Sequence, residues 1–310
     1  MVKGISFPKT EAELTNRLRR LAVVPPGSGV VKGIGDDCAI FRPRNSPDDL
    51  LFTTDLLVED THFRRATHSA ADIGWKALAR GLSDIAAMGG EPRFCLVSLA
   101  LAPWCDAKWV NGFFRGLLRL AGRTGTVLAG GDLSHGATLA CDVVVAGAVP
   151  RGAALRRDGA RPGDAIYVSG VLGGSALGLA TGRGKAWRRQ LRPQPRLALG
   201  RFLRQTVRAT AAMDLSDGLS LDLARLATAS GLGAEIAAPP VWRGATLAQA
   251  LDGGEDYELL FTAPPRTPIP AAFQGIPLTR IGVMRRQGPG KVTLAGKPLP
   301  PRGYDHFRVR

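Results

Sequence analysis

Apolar and polar positions along this chain alternate with two different periods, and each period predicts its own kind of element. Between Ala70 and Met88, Trp75, Leu78, Leu82 and Ile85 recur at three- and four-residue spacing, which predicts an amphipathic helix. Lys76, Arg80 and Asp84 share another face of it at i, i+4 and i+8, so Asp84 turns away from the apolar stripe. Spacing alone leaves Asp84 two uses, a surface ion pair with Arg80 or a ligand. Val110, Phe113 and Leu117 predict a second helix over 106–123, and Leu219, Leu223 and Leu226 a third. Ahead of that third helix, Ser216 or Asp217 is placed to cap it. Alternatively, free amides there, with Asp214 and Asp217, receive a phosphate and its metal.

Shorter apolar runs predict strands. Leu50-Leu51-Phe52 runs into Thr53-Thr54-Asp55, and Val127-Leu128-Ala129 into Gly130-Gly131-Asp132; each places an Asp where a strand end would open on a site. Asp164 to Ser169 reads as another strand, followed by Gly170-Val171-Leu172-Gly173-Gly174-Ser175 and an apolar helix. That order suits either a phosphate loop or a tight turn. It has no Walker lysine and no GxGxxG, so P-loop and dinucleotide-binding readings are set aside.

At 310 residues, 45% of them hydrophobic, the chain is long enough for about two domains with substantial cores. The formal charge is +15, and 33 of the 41 basic residues are Arg. These occur in short groups (Arg17, Arg19 and Arg20; Arg156 and Arg157; Arg188 and Arg189) without interleaved aromatics. An Arg-for-Lys bias therefore explains the charge better than a nucleic-acid surface. The segment 182–208, with Arg183, Arg188, Arg189 and Arg192, reads as a solvated helix face that would at most attract anions. Cys38, Cys95, Cys105 and Cys141 form no CxxC pair and no metal spacing with the four His, which suits buried thiols in a reducing compartment. Met1 to Ser6 has no signal-type apolar run, and no apolar stretch reaches the ~18 residues of a membrane span. A cytoplasmic protein is expected, with no membrane partner.

The scarce acids change the picture most. Of 26, twelve lie in seven short segments beside Gly, Ser or Thr, among them Gly35-Asp36-Asp37, Glu59-Asp60, Leu82-Ser83-Asp84 and Gly253-Gly254-Glu255-Asp256-Tyr257-Glu258. Oxygen-rich clusters of this kind suit Mg²⁺, which takes a few carboxylates and completes its shell with water and phosphate oxygens. There is no nucleophile elbow, HExxH or kinase catalytic loop.

Taken in order, Gly33-Ile34-Gly35-Asp36-Asp37-Cys38-Ala39, Thr53-Thr54-Asp55 with His62-Phe63, Leu82-Ser83-Asp84-Ile85-Ala86-Ala87-Met88-Gly89, Gly130-Gly131-Asp132, Asp214-Leu215-Ser216-Asp217-Gly218-Leu219, Gly253 to Leu259 and Gly303-Tyr304-Asp305-His306-Phe307 resemble the thiamine-monophosphate kinase family. They span nearly the whole chain. The resemblance implies the α+β and α/β two-domain fold of the aminoimidazole ribonucleotide synthetase superfamily. Residues 1–150 would form an N-terminal ATP- and metal-binding domain whose sheets pair into a β-barrel across a homodimer. Residues 151–310 would form a C-terminal α/β domain completing the site, the boundary falling where an apolar run meets Pro150 and Gly152. The implied reaction moves the γ-phosphoryl of ATP onto thiamine monophosphate, giving thiamine diphosphate and ADP. The acceptor is a phosphate oxygen with a second pKa of about 6, so no general base is expected, and several Mg²⁺ ions would offset the repulsion between anions.

By the same resemblance the metal ligands are Asp36, Thr53, Thr54, Asp55, Asp84, Asp132, Asp214 and Asp217. Gly131, Asp132, Arg157 and Ser216 contact ATP, with neighbouring Arg156 the alternative to Arg157. His62, Glu255 and Tyr304 hold the thiamine phosphate, Tyr304 stacking on its cationic ring. After Gly130-Gly131-Asp132 the chain has Leu133-Ser134 where the family often shows two hydroxyl residues. The rival readings are another ATP user of the superfamily, of purine-ligase or selenophosphate-synthetase type, and a basic nucleic-acid-binding protein. His62, Glu255 and Tyr304 favour the thiamine assignment over the first, and the acid clusters disfavour the second.

Overall fold

A computed structural model describes residues 10–307, so the expectation drawn from Met1 to Ser6 lies outside the described residues. The first half contains α1 (Glu11–Leu21), β1 (Val30–Lys32), β2 (Ala39–Phe41), β3 (Asp48–Val58), α2 (Ala70–Ala87), β4 (Glu91–Leu101), α3 (Ala107–Thr124), β5 (Val127–His135) and β6 (Ala140–Pro150). Its sheet runs β1-β2-β3-β6-β4-β5, antiparallel except for β4–β5. Both long helices begin at side-chain caps: the Ser69 hydroxyl accepts from the Asp72 amide, and the Asp106 carboxylate from that of Trp109. α3 ends at Gly125, whose left-handed φ of 68° stops it.

Helices α2 and α3 cover one face of the sheet, where Leu51, Leu57, Leu99, Val143 and Val145 are buried beside Trp75, Leu78, Leu82 and Phe113. Strand alternation assigns Thr53 and Asp55 to this inner face, with Leu51 and Leu57, and Thr54 to the outer one. Thr54 and Asp132 were expected beside Thr53 and Asp55 at strand ends. Instead β3 continues to Val58 and β5 to His135, because partner strands pair with them along their whole lengths. The Asp therefore lie within strands.

The second half contains β7 (Ala165–Ser169), α4 (Gly174–Thr181), α5 (Gly184–Leu191), α6 (Leu197–Phe202), β8 (Ala211–Asp214), α7 (Leu219–Ala229), β9 (Gly233–Ile236), α8 (Leu247–Asp252), β10 (Leu259–Ala263), β11 (Ala272–Phe273), β12 (Ile276–Arg285), β13 (Val292–Leu294) and β14 (Lys297–Pro298). The main sheet order is β14-β13-β9-β12-β7-β10-β8, with β11 paired to β12. Every pair is antiparallel except β9–β13. Strands and helices are thus mixed in an α+β manner, where an α/β arrangement was expected of this half.

α2 belongs to both halves. Its middle packs in the first core, while Ala86 and Ala87 pack with Leu199, Leu203 and Phe261. The approach of α6 is close: a Cβ on Gly200 would lie 1.9 Å from the Ala86 carbonyl oxygen, so only glycine fits. The Trp75 indole N–H also donates to the Pro193 carbonyl at 2.8 Å. All four Cys are free thiols, with Cys38, Cys95 and Cys141 buried and Cys105 half-buried. Among the described residues, no helix is long and apolar enough to cross a membrane.

Candidate active site

The polar face of α2 orders the site. Lys76, Arg80 and Asp84 follow one another at one-turn intervals, spanning about 12 Å from first to last. On β3, Thr53 and Asp55 lie two residues apart on one face, a spacing of about 7 Å that nearly matches a helical turn. The elements therefore join in two rungs. The Thr53 hydroxyl donates to Asp84 at 2.5 Å, and the Arg80 guanidinium pairs with Asp55 at 3.0 Å. The surface Arg80–Asp84 pair is not formed: both residues face inward, and each takes a β3 partner.

Asp84 then faces the C-terminal half. Single ligand atoms of Asp37, Asp84 and Asp214 lie within 4.8 Å of one another. The Ser83 hydroxyl donates to Asp214 at 2.7 Å, and Arg157 grips both oxygens of Asp37 at 2.5 and 3.2 Å. Burial, then the charges of Asp55 and Asp214, push the Asp84 carboxyl well above the ordinary range. Burial and Asp37 do the same to Asp214. Asp36 sits beside them, raised to about 6 by burial first and by Asp37 second. Its Oδ2 is buried without a hydrogen bond, 3.8 Å from Lys32. Carboxylates crowded without enough cations, one with a bare buried oxygen, are what a hard divalent ion satisfies. The donor set fits Mg²⁺.

Arg157, not Arg156, lies against this cluster; Arg156 pairs instead with Asp158 at 2.7 Å. Asp37 was not expected among the ligands, although its position beside Asp36 in Gly35-Asp36-Asp37 carried the signal. Asp217 pairs with Arg225, which also holds Asp222 at 3.1 Å. Neither Ser216 nor Asp217 caps α7. Its N-cap is Gly218, and the Asp222 side chain takes the amides of Asp217 and Gly218, both at 3.0 Å.

The opposite end of the α2 face is built differently. Lys76 pairs with Glu255 at 2.6 Å and reaches the His62 carbonyl at 3.4 Å. The His62 ring lies 5.1 Å from that of His306, which meets the Tyr304 ring edge-on at 4.7 Å. His62 Nδ1 accepts the Val58 amide at 3.0 Å, while Nε2 is buried without a partner. Burial first, then the Arg80 charge, lowers its pKa to about 4, so the ring is neutral near pH 7. The backbone of the Ser216-Asp217 turn ties these pieces together: the Glu255 amide donates to the Ser216 carbonyl at 2.6 Å, and the Tyr304 amide to that of Asp217 at 2.9 Å. Glu255 and Tyr257 have φ of 66° and 48°, strained for non-glycine residues; the Glu255 amide is held on Ser216 as above and the Tyr257 amide donates to the Leu215 carbonyl at 2.9 Å. His306 was part of the Gly303–Phe307 motif and Lys76 shared a helix face with Arg80 and Asp84, yet no role for either was legible in the sequence.

Thr54 and Asp132 are not brought into this arrangement within one chain. The Thr54 hydroxyl donates to Asp142 at 2.6 Å across the outer face of the sheet. Asp132 pairs in register with Ser98, and Ser98 with Asp142, which puts Asp132 on that same face. Gly131 has a packing role, since a Cβ there would lie 1.8 Å from the Val97 carbonyl oxygen. In the Gly170–Ser175 loop the amides of Gly173 and Ser175 are taken by the Asp256 carboxylate at 2.6 and 3.2 Å, so its tight-turn reading holds. The 182–208 segment is not simply a solvated face: Arg189 holds Asp256 and Glu258, Arg196 holds Glu258, and Arg192 holds Asp72 at the start of α2.

Known proteins resemble this chain throughout. The pattern of AIR synthase related protein, N-terminal domain, matches residues 35–149, and that of the C-terminal domain matches residues 161–288. Over 308 residues the chain is 40% identical to a thiamine-monophosphate kinase of Salmonella typhimurium, covering 90% of this chain and 92% of that one. A solved structure of AaThiL complexed with AMPPCP and TMP aligns with a TM-score of 0.87 at 31% identity, over 98% of this chain and 100% of the other. The hydrogenase maturation protein HypE of E. coli aligns with a TM-score of 0.67 at 22% identity, over 96% and 98% of the two chains, and shares the fold.

Proposed function

This chain belongs to the thiamine-monophosphate kinase family of AIR synthase related proteins, and from that premise we propose that it transfers the γ-phosphoryl group of ATP to thiamine monophosphate, yielding thiamine diphosphate and ADP. The observation that carries the reading is the single polar face of α2, which joins an under-neutralised carboxylate cluster at Asp84 to an acid-and-ring pocket at Lys76. A metal-nucleotide needs the first. A cationic ring bearing a phosphate suits the second.

Asp36, Asp37, Asp84 and Asp214 would hold Mg²⁺, with Asp55, Thr53 and Asp217 nearest in support. When bound, Mg²⁺ supplies positive charge that draws donor and acceptor phosphates together and stabilises the transferred group. The chain's own residues do the rest. Arg157, fixed on Asp37, presents its guanidinium beside the cluster to phosphate oxygens. Ser216, half-buried next to Asp214 and Asp217, offers a hydroxyl at the same place. Glu255 offers a carboxylate to the positive thiazolium, and the rings of His62 and Tyr304 offer faces to it. Arg80, tied to Asp55, separates the two ends and keeps one cation between them. No side chain is required to take a proton, because the acceptor phosphate is ionised near neutral pH.

Thr54, Gly131 and Asp132 enter the reading through a homodimer. They lie on the outer face and edge of the first sheet, where Leu56 is 53% and Val127 60% exposed. Closing two such sheets into a barrel would cover these apolar side chains and bring the outer-face acids to a partner's site. The division into 1–150 and 151–310 is supported by β6 ending at Pro150 before the second sheet starts at Ala165.

Purified protein with ATP, Mg²⁺ and thiamine monophosphate should release ADP and thiamine diphosphate in equal amounts, and none without the acceptor. Asp84→Asn should abolish both products. A folded, ATP-binding protein that makes no thiamine diphosphate would sink the acceptor assignment while leaving the fold intact.

A further inference from the structure

The proposed chemistry gives Lys76 no task, yet its side chain is the one full charge that α2 buries completely. A lysine taken out of water is tolerated only when paired, since desolvating an ammonium is costly. Here burial lowers its affinity for a proton, Glu255 offsets only part of that loss, and Arg80 one turn away adds to it. The geometry of the pair is asymmetric. The Lys76 side chain is 1% exposed and that of Glu255 25%, so the ammonium lies behind the carboxylate and the carboxylate faces outward. Glu255 Oε1 takes Lys76 at 2.6 Å, and Oε2 takes the Gln190 amide at 2.9 Å. The same ammonium reaches the carbonyl of His62, the other wall of the pocket, at 3.4 Å.

We propose that Lys76 is the positioning residue of the acceptor pocket: from behind, it fixes the Glu255 carboxylate and the His62 backbone at one separation, so that a cationic ring meets a preset anion. This rests on the acceptor reading above. Pre-setting matters because Glu255 occupies a strained backbone position, φ 66°, which neighbouring contacts must hold. Without the ammonium, a carboxylate three-quarters withdrawn from water tends to take up a proton or swing to solvent, and either change removes the charge that the acceptor needs. Lys76 touches neither the acid cluster nor its ligands, so its effect separates by substrate.

The test is steady-state kinetics of the full-length protein and three variants, Lys76→Met, Glu255→Gln and the double variant. Lys76→Met should raise KM for thiamine monophosphate at least tenfold and leave KM for ATP within twofold. In the Glu255→Gln background the same change should add less than twofold, because the carboxylate through which Lys76 acts has lost its charge. Equal increases in both KM values, a fall in kcat alone, or a full tenfold effect in the Glu255→Gln background would each overturn the proposal. Should Lys76→Met fail to fold, Glu255→Gln and the double variant, which leaves no unpaired carboxylate, supply the same comparison. There, agreement within twofold upholds the proposal and a tenfold gap overturns it. A wild-type protein that binds ATP and ignores thiamine monophosphate removes the acceptor reading and this inference together. An active wild type with an unchanged Lys76→Met removes the inference alone.

Discussion

Glu258 and Asp84 are both carboxylates withdrawn from water beside glycine-bearing motifs, and the chain treats them in opposite ways. Around Glu258 it gathers Arg196, Arg189 at 2.7 Å and the Ser169 hydroxyl at 2.5 Å. Burial alone would raise this acid, but the Arg196 hydrogen bond and charge, and then Arg189, outweigh it and hold it below the ordinary range. Around Asp84 the chain gathers the Thr53 hydroxyl and three more acids, and the carboxyl is driven upward. One acid is neutralised by the protein's own cations and fastens α5 and α6 to the second sheet. The other meets a hydroxyl and further acids, and in the function proposed above its counter-charge arrives with the substrate. Burial does not distinguish a structural acid from a functional one; the source of its counter-charge does.

The largest expected effect breaks the first member of the pair. Glu258→Gln leaves Arg189 and Arg196 buried without their common partner, and breaking a buried ion pair from one side costs about 3–5 kcal/mol. Urea unfolding should show a loss of that size. Asp84→Asn should do the reverse for the metal-free protein, relieving repulsion and leaving stability equal or higher, while turnover falls by roughly 10²–10³ at least. If both variants destabilised the protein equally, the contrast between the two acids would be wrong.

The next effect sharpens the second member. A ligand that binds only the folded state stabilises it by about 2.7 kcal/mol at a hundred times its Kd. Mg²⁺ with a non-hydrolysable ATP analogue should raise the melting temperature of the wild type accordingly. Asp84→Asn and Asp214→Asn should lose that increment, and Glu258→Gln should keep it despite its lower starting point.

How far this contrast was legible in the sequence follows from what sets it. The α2 helix and its apolar stripe follow from local spacing; spacing left Asp84 open between a surface pair and a ligand, and Asp36, Asp84 and Asp214 were singled out together by the family resemblance of their motifs. The pairing of Lys76 with Glu255, 179 residues away, depends on how α2 meets the second half, and no local period records that. The Arg-rich 182–208 segment misled for the same reason: a run of Arg looks solvated until the acids that answer it, Asp72, Asp256 and Glu258, are brought alongside. Thr53 and Thr54 were grouped as neighbours, although strand alternation sends adjacent residues to opposite faces. For the Gly170–Ser175 loop the sequence left a phosphate loop and a tight turn both open, and what decides for the turn is Asp256, a residue distant in the chain that takes its amides.

A smaller effect lies between the two regions, at His62. Its folded pKa of about 4 is below the ordinary value of 6.5, so folding favours the neutral ring. Stability from this group is fully present above pH 6.5 and is lost as the pH falls from there toward 4. The ring is only partly buried, which screens the effect to the order of 1 kcal/mol. The difference in urea midpoints between pH 7 and pH 4.5 should therefore be larger in the wild type than in His62→Gln. Equal differences would mean that the unpartnered Nε2 is open to water and that the pocket is wetter than its burial suggests.

The smallest effect comes from the segment that supplies the guanidinium partners of Glu258. Arg192 and Arg196 are four residues apart, and each meets an acid through its guanidinium. The Arg192 side chain is 40% exposed against 16% for Arg196, and its partner Asp72 is 13% exposed where that of Glu258 is fully buried. Water already solvates much of the Arg192–Asp72 pair, so forming it gains little, and Arg192→Ala should cost only about 0.5 kcal/mol and vanish into salt screening. Arg196→Ala should instead cost several times more and resist added salt, because it takes one of two guanidinium partners from a carboxylate that has no water to turn to. Parallel urea titrations of the two variants at low and high salt would read this directly. A salt-sensitive loss at Arg196 would place Glu258 in contact with solvent and remove the ground on which it was set apart from Asp84.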